Sequence, residues 1–209
     1  MPIHDIANSL GSNKCNGLRF FHAFSGCETV SGFRGKGKKS FFQTWNVITD
    51  VTETFVKLSK YPVYVDEQDI IKIEQFLVLL YDRSSVLTDI DAARKVFFMQ
   101  KNTQFDHLPP SKAALKQHIM RAAYQGGIVW GQALDPVVYL PSPDSWGWSK
   151  QCDSVWDVHW TDLNPISDTC KELCKCGCKK ECKGKCSCRK SNLQCTSICK
   201  CPCSFANQM

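Results

Sequence analysis

The chain reads as a mainly α protein, a helical body followed by a small C-terminal cysteine-rich module. Two observations predict the division. Across residues 1–165 apolar side chains recur at helical spacing between recognisable start and stop signals. Of the 14 cysteines in 209 residues, 11 lie between Cys170 and Cys203. The body is long enough to bury a core. The tail, residues 170–204, holds too few large apolar side chains to do so and needs another source of folding free energy.

The elements of the body follow in chain order. Phe20-Phe21-His22-Ala23-Phe24 reads as an apolar helix ended by a turn at Gly26. A glycine-rich hairpin through Arg34-Gly35-Lys36-Gly37 then leads into a helix around Phe41–Trp45. Asp50–Ser59 is a short helix with Glu53 three residues after its cap. Glu67–Asp82 places Ile70, Ile73, Leu77 and Leu80 on one stripe, widened by Phe76 and Val78. Thr88–Lys101 opens with Thr88 and Asp91 as cap and continues through Ala92, Ala93, Val96 and Phe97. After Pro109-Pro110, Ser111 caps a helix that runs through Tyr124 and ends at Gly126-Gly127. From Ile128 to Trp160, Pro136, Pro141 and Pro143 break periodicity, and Trp130, Trp146, Trp148, Trp156 and Trp160 supply five of the six tryptophans. This reads as an irregular wrap anchored on the core by aromatic rings, with His159 packed. No internal repeat appears. No stretch approaches the eighteen apolar residues of a membrane span, and Met1-Pro2-Ile3-His4-Asp5 is not expected to open a secretory signal.

The tail has an ordered spacing: Cys176-x-Cys178-x3-Cys182-x3-Cys186-x-Cys188-x6-Cys195-x3-Cys199-x-Cys201-x-Cys203. Thiolates so spaced can chelate tetrahedral zinc, which supplies folding free energy directly. Nine thiolates cannot fill three separate four-cysteine sites. They serve about three zinc ions if three sulfurs each bridge two metals. Two other readings of the cysteines are a disulfide scaffold and a metallothionein-like metal store. Cys170 and Cys174 are left over, and either could stand in for Cys176.

Charge separates the two parts as well. The chain carries a formal +6, yet residues 174–203 alone carry +7. There Lys175, Lys179, Lys180, Lys183, Lys185, Arg189, Lys190 and Lys200 face Glu181 alone. Nine thiolates and three zinc ions would lower that charge to about +4. A compact patch of this sign attracts nucleic acid, above all DNA, through counterion release. The plain alternative is that these lysines keep a small metal module soluble. A second basic stretch lies in the hairpin. Arg34, Lys36, Lys38 and Lys39 flank Gly35 and Gly37 ahead of a helix, an arrangement that can hold a phosphate.

The nine-cysteine spacing resembles the CXC domain of tesmin/TSO1-like proteins, which implies a zinc cluster that contacts DNA in the nucleus. Lys185 stands where that family's DNA-contacting tyrosine precedes the fourth cysteine. The segments Phe20–Lys39, Leu79–Arg83, Arg121–Leu134 and Leu140–Trp148 resemble mobile-element-like invertebrate proteins with cysteine-rich tails, which implies chromatin or transposase-like partners. Gly26-Cys27-Glu28 followed by Gly35-Lys36-Gly37 is similar to the DNA-binding hairpin of flap-endonuclease-like enzymes. The carboxylate cluster for two-metal hydrolysis is not found, so the chain alone is not expected to be an enzyme. The leading expectation is a zinc-dependent DNA-binding protein; the rivals are a protein-interaction module and the remnant of such a nuclease.

Overall fold

The computed structural model describes residues 2–60, 62–99, 107–152, 155–163, 175–183, 186–190, 194–196 and 198–204. The chain divides into two compact units, residues 1–162 and 163–209. The first is the helical body; the second contains the cysteine-rich tail.

Helix α1 (Ile3–Phe24) is interrupted at Gly11, where φ is 75°. Its last two turns bring Phe20, Phe21 and Phe24 into an aromatic core. Helices α2 (Lys38–Val47) and α3 (Thr52–Ser59) contribute Phe41, Trp45 and Phe55 to the same core. Ring centroids lie 4.9 Å apart for Phe21–Trp45 and 5.1 Å apart for Trp45–Phe55. Helix α4 (Glu67–Tyr81) buries Ile70, Ile73, Phe76, Leu77, Val78 and Leu80 against it, the stripe its sequence predicts. An Asp66–Asp69 capping box starts α4: Asp69 N–H donates to Asp66 at 2.8 Å, and Asp66 N–H to Asp69 at 3.2 Å.

Several boundaries differ from expectation, each for a physical reason. Asp50 sits inside a 3-10 turn (Thr49–Val51), and no side-chain cap precedes α3. Helix α5 (Ile90–Met99) is capped by Asp89 rather than Thr88, since Ala92 N–H donates to Asp89 at 2.6 Å. The expected end of α5 at Lys101 lies outside the described residues. Val96 is exposed, because α5 turns Ile90 and Ala93 inward instead.

Helix α6 (Lys112–Ala123) starts at Ser111 as predicted, the Ser111 hydroxyl accepting from Ala114 N–H at 3.3 Å. It does not stop at Gly126-Gly127. A π-helical turn (Tyr124–Val129) carries on through both glycines. Their role is close approach. A Cβ on Gly126 would lie 2.8 Å from Arg19 O, and one on Gly127 2.3 Å from Leu58 O. The turn packs directly on the backbone of α1 and the end of α3, which only glycine permits.

The wrap is more regular than its prolines suggest. Strands β1 (Trp148–Cys152) and β2 (Val155–Val158) form an antiparallel hairpin. Trp130 and Trp146 pack on the core and Trp148 meets Tyr124 edge-on at 5.5 Å, but Trp156 and Trp160 are exposed. His159 is no core histidine. It is half-exposed and pairs with Asp162 at 2.7 Å.

Candidate metal centre

The tail buries its sulfur and exposes its basic side chains. Cys176, Cys182, Cys186, Cys188, Cys199 and Cys201 are buried, with Cys178, Cys195 and Cys203 packed against them. Lys175, Lys179, Lys180, Lys183, Arg189, Lys190 and Lys200 are all exposed. Sulfur thus takes the place of an apolar core. Lys185, Cys170 and Cys174 lie outside the described residues.

The sulfurs form three groups, in each of which all Sγ atoms lie within 4.8 Å of one another. The first is Cys176, Cys182, Cys186 and Cys195; the second Cys176, Cys188, Cys195 and Cys199; the third Cys182, Cys201 and Cys203. Cys176 and Cys195 belong to two groups, and Cys182 links the first to the third. Eight of the nine predicted ligands take part. Cys178 packs alongside, outside the groups.

Sulfur–sulfur separations identify the contact. They are 3.7 Å for Cys176–Cys182 and Cys176–Cys201, 3.6 Å for Cys182–Cys195 and 3.8 Å for Cys188–Cys199. A disulfide would require about 2.05 Å, and none of the nine cysteines is in one. Tetrahedral geometry with metal–sulfur bonds of about 2.3 Å has an edge of about 3.8 Å. The groups are therefore positioned to hold metal ions.

Local backbone supports this placement. Cys182 N–H points at Cys203 Sγ and Cys176 N–H at Cys199 Sγ, both at 3.4 Å, and such donors stabilise thiolate charge. A single helical turn (Ser187–Lys190) follows Cys186 and carries Cys188 on its buried side, with Lys190 N–H donating to Cys186 O at 2.9 Å. The backbone N–H of Arg189 holds the Cys186 thiol down at about 6. Burial among other sulfurs pushes Cys182 far up and Cys195 up to about 12. Crowded thiols cannot all ionise against one another without cations between them.

The basic hairpin of the body is arranged differently. Lys38 Nζ donates to His22 O at 2.9 Å, to Ser25 Oγ at 3.1 Å and to Gly26 O, staking the end of α1 to the start of α2. Lys36 Nζ donates to Leu80 O at 3.1 Å and lies 5.0 Å from the centre of the Tyr81 ring. Burial lowers both ammonium pKa values. Arg34 and Lys39 are exposed.

One cluster escaped the sequence reading. His118 and Arg121 of α6 are buried, at 5% and 1% exposure, on the stripe that also carries Leu115 and Ile119. His118 Nε2 lies 2.8 Å from Phe24 O, an acceptor, so this nitrogen carries the proton. Nδ1 then accepts from the Ser31 hydroxyl, 2.8 Å away. Burial pushes the imidazole down to about 4, which keeps it neutral. Arg121 Nη1 donates to Gly147 O at 3.1 Å and His159 O at 2.7 Å. The one sequence signal was two polar residues three apart on an apolar helical face.

Comparison with protein-family models, curated proteins and solved structures found no match to this chain.

Proposed function

We propose that the chain is a zinc-dependent DNA-binding protein whose tail forms a three-zinc cluster on nine cysteines. The observation that carries this reading is the set of interlocking sulfur groups at tetrahedral spacing, beneath a shell of exposed lysine and arginine. The groups offer four, four and three sulfurs, with three sulfurs shared. Cys178, the ninth cysteine, fills the remaining position. Zinc suits an all-thiolate tetrahedral set and needs no redox partner. The metal supplies charge neutralisation and cross-linking; the chain supplies the outward-facing bases.

Lys179, Lys180, Lys183, Lys185, Arg189 and Lys190 contact phosphates, and Arg34 and Lys39 add an auxiliary contact from the body. Recognition is mainly electrostatic, since Arg189 offers the sole guanidinium fork among these tail residues for a base edge. Such a protein works in the nucleus, beside chromatin or transposase-like partners, and resembles mobile-element products in this respect.

The test is metal content measured alongside DNA affinity on the full chain. About three zinc ions per chain are expected. If four or five bases meet phosphates, log affinity falls against log salt with a slope of about −4. Replacing Lys179, Lys180 and Lys185 by Glu abolishes most binding and leaves zinc in place. Full zinc loading without salt-dependent binding to any duplex or single strand would overturn the DNA reading and leave a protein-interaction module.

A further inference from the structure

Between Leu134 and Leu140 the body displays a run of large apolar side chains: Leu134, Val137, Val138, Tyr139 and Leu140 are all exposed. Scattered apolar residues are ordinary on a surface, but a contiguous run marks a contact site. No turn or bend forms from Val138 to Ser142. Exposure alternates along the run, at 84% for Val137, 52% for Val138, 72% for Tyr139 and 49% for Leu140. A period of two is that of an extended strand, whose side chains point to opposite faces in turn.

Main-chain bonds show which edge of this strand is occupied. Gln132 is buried and meets Tyr139 as a neighbouring strand would. Its Oε1 accepts from Tyr139 N–H and its Nε2 donates to Tyr139 O, both at 2.8 Å. Two residues on, Pro141 O accepts from the Tyr124 hydroxyl at 2.8 Å. Tyr139 and Pro141 are of one parity, so both turn their main chain to the body. Val138 and Leu140 are of the other parity, and their N–H and C=O groups have no partner among the described residues. An unpaired edge of this kind is a template for another strand. Pro136 and Pro141 bracket it and lack N–H groups, which confines pairing to a short segment rather than an open-ended sheet.

Charge decides which kind of strand fits. Asp135 and Asp144 are exposed at the two ends of the run, and neither carboxylate has a partner among the described residues. The sequence from residue 133 to residue 149 contains no lysine or arginine. A second copy of this chain laid antiparallel on the edge would bring four carboxylates to one joint, and like charges oppose pairing. A strand with Lys or Arg at both ends and apolar side chains at alternate positions answers the acids and the apolar run together. We propose that residues 137–140 pair with such an extended, basic-flanked peptide segment through the main chain of Val138 and Leu140. The site lies within the body and does not rest on the metal or the DNA contact of the tail.

The test uses the full chain and the synthetic peptide KKVTVTVKK, with affinity read by fluorescence anisotropy and the place of binding by NMR amide exchange. Saturable binding is expected to slow exchange of the Val138 and Leu140 N–H groups, while Tyr139 N–H, already held by Gln132, changes little. The serine-flanked peptide SSVTVTVSS should bind about tenfold more weakly. Asp135→Asn combined with Asp144→Asn should bring the basic peptide down to that level and leave the serine-flanked one unchanged. Val138→Pro removes an N–H that bonds nothing in the body, so it should weaken binding at least tenfold at unchanged melting temperature. Should that variant lose stability, N-methylation of the peptide supplies the decision. Methylating its valine amides and methylating its threonine amides address opposite edges, and only one of the two should abolish binding. Absence of saturable binding, no protection at Val138 and Leu140, or equal effects of the two methylated peptides would overturn the proposal. Protection of Val138 that rises with protein concentration and needs no peptide would also overturn it, by placing a second copy of the chain on the edge.

Discussion

Replacing Cys182 by serine should cost more metal than replacing Cys188, and the sulfur geometry says how much more. Cys182 belongs to two groups, Cys188 to one. Cys182→Ser leaves the first group with three sulfurs and takes one of the three from the third. A serine hydroxyl, unlike a thiolate, stays protonated at neutral pH and is a poor zinc ligand. If the tail holds the three ions proposed, Cys182→Ser should therefore retain about one, and Cys188→Ser about two. The energetic consequence is larger still. Structural zinc contributes roughly 10–16 kcal/mol of apparent binding free energy per ion in small modules. Loss of two ions exceeds any stability a thirty-residue segment could have without metal, so the tail of Cys182→Ser should be unfolded while the body remains helical. The assay is native mass spectrometry for ion count, paired with amide hydrogen exchange to read each unit separately. Equal metal loss in both variants would refute the sharing of Cys182 and point to separate, unlinked sites.

Other consequences concern the body. Gly127→Ala should destabilise it by about 1–3 kcal/mol or more, because the new Cβ would meet Leu58 O and Pro62 Cδ, each at 2.3 Å; thermal unfolding of the variant checks this. Removing Lys38 frees three acceptors at the α1–α2 junction, so Lys38→Met should lower the melting temperature, whereas Lys39→Met should leave it unchanged. His118 gives a pH signature. Its folded pKa of about 4 lies below the ordinary 6.5, so its contribution is complete above pH 6.5 and is lost as pH falls towards 4. The shift corresponds to about 3 kcal/mol, and His118→Asn should flatten the stability profile across that window in denaturant titrations.

The parts of this fold that were legible in sequence are those where a local rule and the tertiary context agree. The stripe of α4 is one, since Ile70, Ile73 and Leu77 need only a 3.6-residue period and a core to face. Ser111 is another, its hydroxyl capping α6 as its position suggests. Gly126-Gly127 misled because glycine has two uses, ending helices and admitting neighbours. Which one operates depends on Arg19 and Leu58, far away in sequence. The hairpin of β1 and β2 was hidden by the prolines before it. The cysteine spacing announced the candidate ligands, but not that Cys176, Cys182 and Cys195 would each fall in two sulfur groups. Sharing is a property of three-dimensional proximity, and Cys182 and Cys195 are brought to 3.6 Å across 13 residues.

The two basic stretches of the chain show why charge in a sequence underdetermines its use. Lys36 and Lys38 stand beside glycines ahead of a helix, as a phosphate-holding loop would have them. Yet each has main-chain carbonyls within hydrogen-bond reach, and each loses basicity to burial. An ammonium already satisfied by carbonyls has to break those bonds before it can meet a phosphate, which costs about 1.5–3 kcal/mol per bond to a charged group. Among the described residues, the tail lysines face no comparable competition. The interior of the tail is filled by sulfur, so its lysines have nowhere to turn but outward. Even with nine thiolates and three zinc ions beneath them, the tail would keep a charge of about +4. Lys36→Ala and Lys38→Ala should therefore alter the stability of the body more than its affinity for DNA. Lys179→Glu and Lys183→Glu should do the reverse. Measuring melting temperature and DNA affinity on all four variants separates the roles, and a loss of affinity in Lys36→Ala equal to that in Lys179→Glu, at unchanged stability, would show that the hairpin lysines leave their carbonyls to bind phosphate.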